Sequence, residues 1–553
     1  DRRNSFIRWQ AQHWQQTQPD NFIVVAGSTG SIRATRELIA VVAALPNGYV
    51  VLPGLDRGAG DLWVDMAADS SHPQHALAEL LDALSLRPDQ VQDWPRLPVA
   101  SPTQHARRQF MREIFRPAAV TGAWQRLGNG AELPGRAALD KLKILTARDR
   151  REEASLIALC LREVLETPEK TAALITPDRP LAELVIAELQ RWDITIEDSA
   201  GRPLASTPTG KFLQLLANAM ADDLAPLSLL ALLKHAYAAG GMKRLDFQTK
   251  LTDLELAVLR GARPAIPGID GLIAAAPTDA LRNFVKQHIA VPLYPLCAAW
   301  RAANPTLASL VAGLAETAEL LAADEANPAS GQPDRGQGAL RLWDGVDGQA
   351  AARLLADIEI DGRDFEIAAD DLPQILQQIF ETETVHPHGS PHPRLAILGA
   401  VEARMQSADC IIIGGFNEGN WPPRPTADPW MNTKMRKAVG LPPHNWRTSL
   451  SAHDVYMALC THEVVVTRAA KENNTATIKS RWLQRMEVVL DALGLAGEVD
   501  VGQKQHAWID RLHPKTKYMQ IGRPRPCPPI SARPRRFSAT EIDLWVTDPY
   551  AIY

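Results

Sequence analysis

The chain has 553 residues, 46% apolar and 22% charged, with a net charge of −5. That length exceeds what one hydrophobic core serves and predicts roughly three or four domains, while no apolar run approaches the ~18 residues of a membrane span. Five scattered cysteines (Cys160, Cys297, Cys410, Cys460, Cys527) with no C-x-x-C pair argue against a disulfide scaffold and a local zinc or iron–sulfur site, fit a reducing, cytoplasmic setting, and leave any nucleic-acid binding to local basic patches.

The chain opens on Asp1 rather than Met, so its N-terminus is expected to be missing and the lack of a visible signal peptide carries little weight. Residues 22–56 predict strand, Gly-rich turn, helix, strand: FIVVAGSTGS, IRATRELIAVVAAL and YVVLPGLD. The helix has an apolar face through Leu38, Ile39, Val42 and Leu45 and stops at Pro46-Asn47-Gly48. Gly27-Ser28-Thr29-Gly30-Ser31 precedes a helix N-terminus that could hold an anion, yet it lacks the lysine of a phosphate loop, and a tight turn explains it better. Residues 60–145 mix Trp63, Trp94 and Trp124 with Pro and Gly, and their organisation is not legible. Next come an amphipathic helix from Arg151 to Leu165, a strand and turn in TAALITPDR, a helix in LAELVIAELQRW and a strand in DITIEDSAGRPL, half of a doubly wound domain.

From Phe212 to about Gln378 the pattern is helical and Ala/Leu-rich, and strands vanish. The sheet signal resumes at Leu395 and runs through EVVVTRAA, so the helical block reads as an insertion into a discontinuous α/β domain. Just before it, His386, His388 and His392 stand in a Pro/Gly-rich irregular loop with no thiolate nearby, a poor metal site. In Arg394–Pro425, LAILG and CIIIGG read as central strands of a parallel sheet covered on both faces. Glu402 and Arg404 lie between them, and Asn417, Glu418 and Trp421 follow, where open α/β sheets bind ligands. The plainer alternative is a packed turn with Trp421-Pro422 as its plug. Ser449, Ser451, His453 and Asp454 imitate hydrolase chemistry, but a helix cap with an ordinary polar first turn accounts for them.

Residues 503–536 form a Pro-rich linker with nine Lys/Arg against Asp510, read as too proline-dense for regular helix. Arg523, Arg525, Arg533, Arg535 and Arg536 could track phosphates along it, or the segment could be a solvated tether. FSATEIDLWVTDPYAIY closes the chain with a new capped helix.

HPRLAILGAVEARMQSADCIIIGGFNEGNWPPRP, with LITPDRPLAELVIAELQRWDITIEDSAGRPLASTPTG before it and EVVVTRAAKENNTATIKSRWLQRM after it, closely resembles the AddB family of alphaproteobacterial type. The family's members are subunits of AddAB helicase-nucleases, which process DNA double-strand breaks for homologous recombination. The resemblance implies an α/β fold of RecA-like, superfamily 1 helicase-type domains with parallel sheets and a large α-helical insertion. It divides the chain into 1–145, the remainder of a first helicase-like domain; 146–211 and 379–502, two parts of a second; 212–378, the insertion; 503–536, the linker; and 537–553, the start of a truncated PD-(D/E)xK nuclease domain.

On the same resemblance, residues 22–56 fall where an active helicase carries its Walker B strand, and Ala26-Gly27 replace the Asp-Glu pair that serves magnesium and water. Tyr456-Met457-Ala458-Leu459 resembles the start of the last helicase motif, but Cys460, Thr461 and His462 follow where an arginine is expected; Thr467-Arg468-Ala469 lies one strand further on. Glu402 resembles a motif glutamate and Glu418 belongs to the same structural motif; without a phosphate site, Glu402 is expected to order the turn. The implied protein is an ATPase-inactive scaffold with no complete catalytic site, binding a single-stranded tail or fork and the AddA helicase-nuclease subunit as a heterodimer, with no membrane. Arg404, Asn417, Trp421 and the five linker arginines are expected at DNA or interdomain contacts, Trp421 stacking a base and Arg404 meeting a phosphate. No cofactor is expected in this fragment. Magnesium would serve nuclease carboxylates beyond Tyr553, and Asp548-Pro549-Tyr550 in place of a Cys-Pro step predicts no iron–sulfur cluster. The alternatives are an active ATP-dependent DNA helicase with its Walker A upstream, or an interaction scaffold without a DNA role.

Overall fold

Short β-branched runs set the strands, and the order in which they pair sets the site. In the computed structural model the strands are β1 (Ile23–Ala26), β2 (Gly48–Val51), β3 (Leu142–Asp149), β4 (Ala172–Ile175), β5 (Glu197–Asp198), β6 (Arg202–Pro203), β7 (Thr384–Val385), β8 (Leu395–Leu398), β9 (Cys410–Ile413), β10 (Glu463–Glu472) and β11 (Thr475–Ala476). Described are residues 2–94, 101–127, 135–260, 268–386, 391–425, 429–439, 441, 446–514, 522–523, 527 and 529–548. They divide into two units, Asp1–Gln505 and His506–Tyr553.

In the larger unit β1 and β2 pair in parallel around the helix Arg33–Ala44. The main sheet runs β3-β10-β9-β4-β8-β5, all parallel, and β11 folds back antiparallel on β10. Ala172 stands opposite both Leu395 and Cys410, which fixes β4 between β8 and β9. Every residue of β4 and β9 is buried. A strand covered on both faces needs an unbroken apolar run, which is why AALI and CIII lack the alternation of a half-exposed strand. The fold is therefore α/β with a mostly parallel central sheet.

Strands from before the helical block (β3, β4, β5) interleave with strands from after it (β8, β9, β10), so neither half closes the sheet alone. Among the described residues, no named strand lies between β6 and β7. The helices there share their own core, including Phe212, Leu216, Leu232, Leu314, Leu376 and Phe380, and it reaches out to Leu204 and Val385 beside the β6–β7 pair. The sheet has a separate core of Ile411, Ile413, Phe416, Val455, Val464 and Trp482.

Helix starts follow local chemistry. Asp149 accepts the N–H groups of Arg151 and Glu152 to open the helix Arg150–Val164, and Asp178 accepts that of Leu181 to open Arg179–Leu189. Each such cap is worth about 1 kcal/mol. The segment before β3 is tied in by Arg107, which is fully buried and donates to the carbonyls of Ala138, Asp140 and Leu459.

Two expectations change. DITIEDSAGRPL yields only Glu197–Asp198 as strand beside β8, because this edge has one neighbour and the chain turns at Gly201 with φ +62. The first part of the linker is a helix, Gln503–Leu512, since its prolines begin only at Pro514.

Because β8 and β9 flank β4, the chain from Leu398 to Cys410 must cross over β4. It does so without a named helix, through turns that include Met405 at φ +66. A cavity of about 210 Å³ remains beside this crossover, lined in part by Ile175, Leu398, Ala403 and Ile411.

Candidate functional site

Polar side chains converge at the C-terminal ends of β3, β4, β9 and β10. The helix after β3 places Glu153 there in its first turn, and this carboxylate accepts the Gly415 N–H at 2.8 Å and the Thr467 hydroxyl at 2.7 Å. Burial pushes its pKa up to about 7 against those two hydrogen bonds. Asp178, after β4, accepts from the Asn420 side-chain amide and from Arg150, each at 3.1 Å, and Arg150 also meets Glu472 at 2.5 Å. Thr176 donates to the Gly414 carbonyl at 3.1 Å. Gly415, at φ +71, turns the chain so that its N–H faces Glu153, a conformation glycine reaches without a Cβ penalty.

The sequence-predicted residues lie in or beside this network. Trp421 is 2% exposed; its indole N–H donates to the Gly414 carbonyl at 2.9 Å, and its own carbonyl accepts from the Ser480 hydroxyl at 2.6 Å. Its ring packs near Phe416, so neither face is open to stack a base, and that expectation is corrected. Asn417 is buried, donating to the Ala469 carbonyl and accepting from Arg468, both at 3.0 Å. Glu418 pairs with the Arg481 guanidinium and accepts the Arg481 N–H at 3.2 Å, holding the start of the helix Arg481–Ala492.

Arg404 makes a two-pronged ion pair with Asp454, at 2.6 and 3.1 Å. The side chains are only 12% and 6% exposed, so Arg404 pins the crossover to the helix Trp446–Leu459 and is not presented to a phosphate. The Asp454 pKa is nevertheless raised, because desolvation outweighs the pairing with Arg404. The expected polar first turn of that helix is also corrected: Ser449, Ser451, His453 and Asp454 are all buried. His453 donates through Nδ1 to the Pro73 carbonyl at 3.2 Å, its Nε2 has no partner among the described residues, and burial pulls its pKa down to about 3. Glu402 is exposed and its carboxylate folds back over Gly399, where a Cβ would collide with Oε2.

The turn after β1 meets the same crossover. A Cβ on Gly27, at φ +76, would stand 3.1 Å from Cγ of Met405. Gly54 likewise lets the chain approach Met457 and His453.

Neither protein-family models nor curated proteins match this chain. Chemical meaning therefore rests on the geometry. Among the described residues, no cluster of three or more His, Cys, Asp or Glu is arranged to hold a metal, and no helix is long and apolar enough to cross a membrane. His388 lies outside the described residues. In the smaller unit Arg523, Arg533, Arg535 and Arg536 are exposed, while Arg525 lies outside the described residues.

Sequence reasoning missed Glu153, Asp178 and Arg150, and it singled out Asp454 without its pairing to Arg404. Asp178 carries a readable signal, an acidic cap before Pro180 at a helix start. Glu153 carries a subtler one, a carboxylate on the stripe that continues through Ile157 and Leu161.

Proposed function

We propose that this chain is a helicase-like, ATPase-inert scaffold of the AddB type, built on RecA-like domains and acting with an AddA-type subunit to process DNA double-strand breaks for recombination. The observation that carries the reading is closure of the sheet's C-terminal end by the chain's own side chains: Glu153 accepts the Gly415 N–H, the Asn420 amide donates to Asp178, and the Trp421 indole donates to the Gly414 carbonyl. A nucleotide site needs unsatisfied donors for phosphate and room for a metal. Met405 against Gly27 adds an apolar thioether where an active helicase keeps its acidic pair.

The reading assigns DNA contact to the exposed Arg523, Arg533, Arg535 and Arg536, with Arg404, Asn417 and Trp421 as braces. Full-length chain is titrated with labelled ATP and magnesium, then with a forked duplex across a salt series, alone and with the AddA-type subunit. The expected outcome is no turnover by the chain alone and salt-dependent fork binding by the pair. Replacing the four arginines with serine should lower the salt slope by about 0.7 for each single-strand phosphate that is no longer neutralised. Magnesium-dependent hydrolysis by the chain alone, or a pair that ignores the fork, would overturn the reading.

A further inference from the structure

We infer that the groove between the helices Pro208–Ala221, Pro226–Leu233 and Leu372–Thr382 is a docking site for a basic amphipathic helix of a partner protein. It encloses about 430 Å³ in the helical block, away from the sheet network. Leu215 and Pro373 are half-buried in its lining, and the small side chains of Ala221 and Ala231 leave it open. Leu227 stands at its edge, 83% exposed. A single exposed leucine is ordinary on a protein surface, but one beside a groove whose lining mixes Leu215, Ala221, Ala231 and Pro373 with polar side chains offers an anchor for an incoming apolar side chain.

Charge selects the occupant. Asp222 and Asp370 line the groove, Asp223 and Asp371 follow them in the chain, and all four are exposed. No lysine or arginine is among the lining residues, and the Ser228 hydroxyl holds the Asp222 carboxylate in place. This rim repels nucleic-acid phosphates and attracts a lysine- or arginine-rich segment. The lining comes from helices and the turn at Asp222, with no strand contributing an edge, so addition of a β-strand is unavailable and a helix presenting apolar residues at i, i+3, i+4 and i+7 fits. The inference stands independently of the AddB reading.

The test uses the full chain and a fluorescein-labelled, lysine-rich helical peptide with leucines at those four positions, beside a matched peptide carrying serines. The leucine peptide is expected to bind saturably, more weakly at high salt, and to slow hydrogen exchange over 215–231 and 370–374. Leu227→Glu, and separately Asp222→Lys with Asp370→Lys, should each weaken binding at least about tenfold with the thermal midpoint unchanged, since both sites are exposed. Equal binding of the serine peptide, affinity indifferent to either variant, or displacement of the peptide by single-stranded DNA would overturn the inference.

Discussion

Two regions of the larger unit have opposite chemistry. At the strand ends, charged and polar groups are numerous but turned inward and spent on one another, as with Glu153 on Gly415 and Arg468 on Asn417. In the helical block the groove has fewer polar groups, and its carboxylates face solvent beside an exposed leucine. Topology places polar residues where sheets usually bind ligands, but hydrogen-bond saturation decides whether anything remains to offer. A region rich in functional-looking residues can be the more inert of the two.

Breaking the strand-end network should cost stability first. Trp421→Ala removes a buried ring and its hydrogen bond to Gly414, with an expected loss of about 3–5 kcal/mol in urea unfolding. Unchanged stability with weakened DNA binding would instead return Trp421 to a base-stacking role. Arg404→Ala should cost about as much, ~3–5 kcal/mol, because Asp454 is left buried and unpaired. The companion Arg404→Met, Asp454→Leu should recover most of that loss, since an apolar pair avoids the desolvation that already raises the Asp454 pKa.

A smaller effect depends on pH. Glu153 has an ordinary pKa of 4.5 and a folded value of about 7, so folding takes up a proton between those limits. Its stabilising contribution is complete below pH 4.5 and is lost as pH rises through 7, by up to about 3 kcal/mol. Glu153→Gln should therefore gain on the wild type by that amount between pH 5 and pH 8 in paired urea melts, and a constant difference would show that the carboxylate is ionised throughout. The least effect belongs to the groove. Leu227→Glu should shift stability by under about 0.5 kcal/mol, because a residue 83% exposed has little burial to lose. A larger loss would mean that the groove, like the strand ends, is already filled from within.

Much of the α/β architecture was legible beforehand because its signals are local. AALI and CIII carry the unbroken apolar pattern of doubly covered strands, and the amphipathic run from Arg151 to Leu165 carries a helix. The site residues were half legible: Asn417, Glu418 and Trp421 were located at the strand ends, but their orientation was not. A tryptophan after a strand reads the same whether its ring faces solvent or Gly414. The Pro-rich linker erred for a related reason, since composition averaged over 503–536 hid a proline-free start that folds as the helix Gln503–Leu512.

By itself the sequence determined the β-branched runs, the capped helices, the helical block and the concentration of polar residues after CIII, because each follows from period, propensity and neighbours in the chain. Only tertiary structure decided that Glu153 reaches Gly415 and Thr467, that Arg404 finds Asp454, and that Met405 covers Gly27. Those partners lie far apart in the chain, and Glu153 meets Gly415 and Thr467 because β9 and β10 interleave with β3 and β4. Whether a polar group is available to a ligand depends on what packing brings beside it, and spacing along the chain does not encode that.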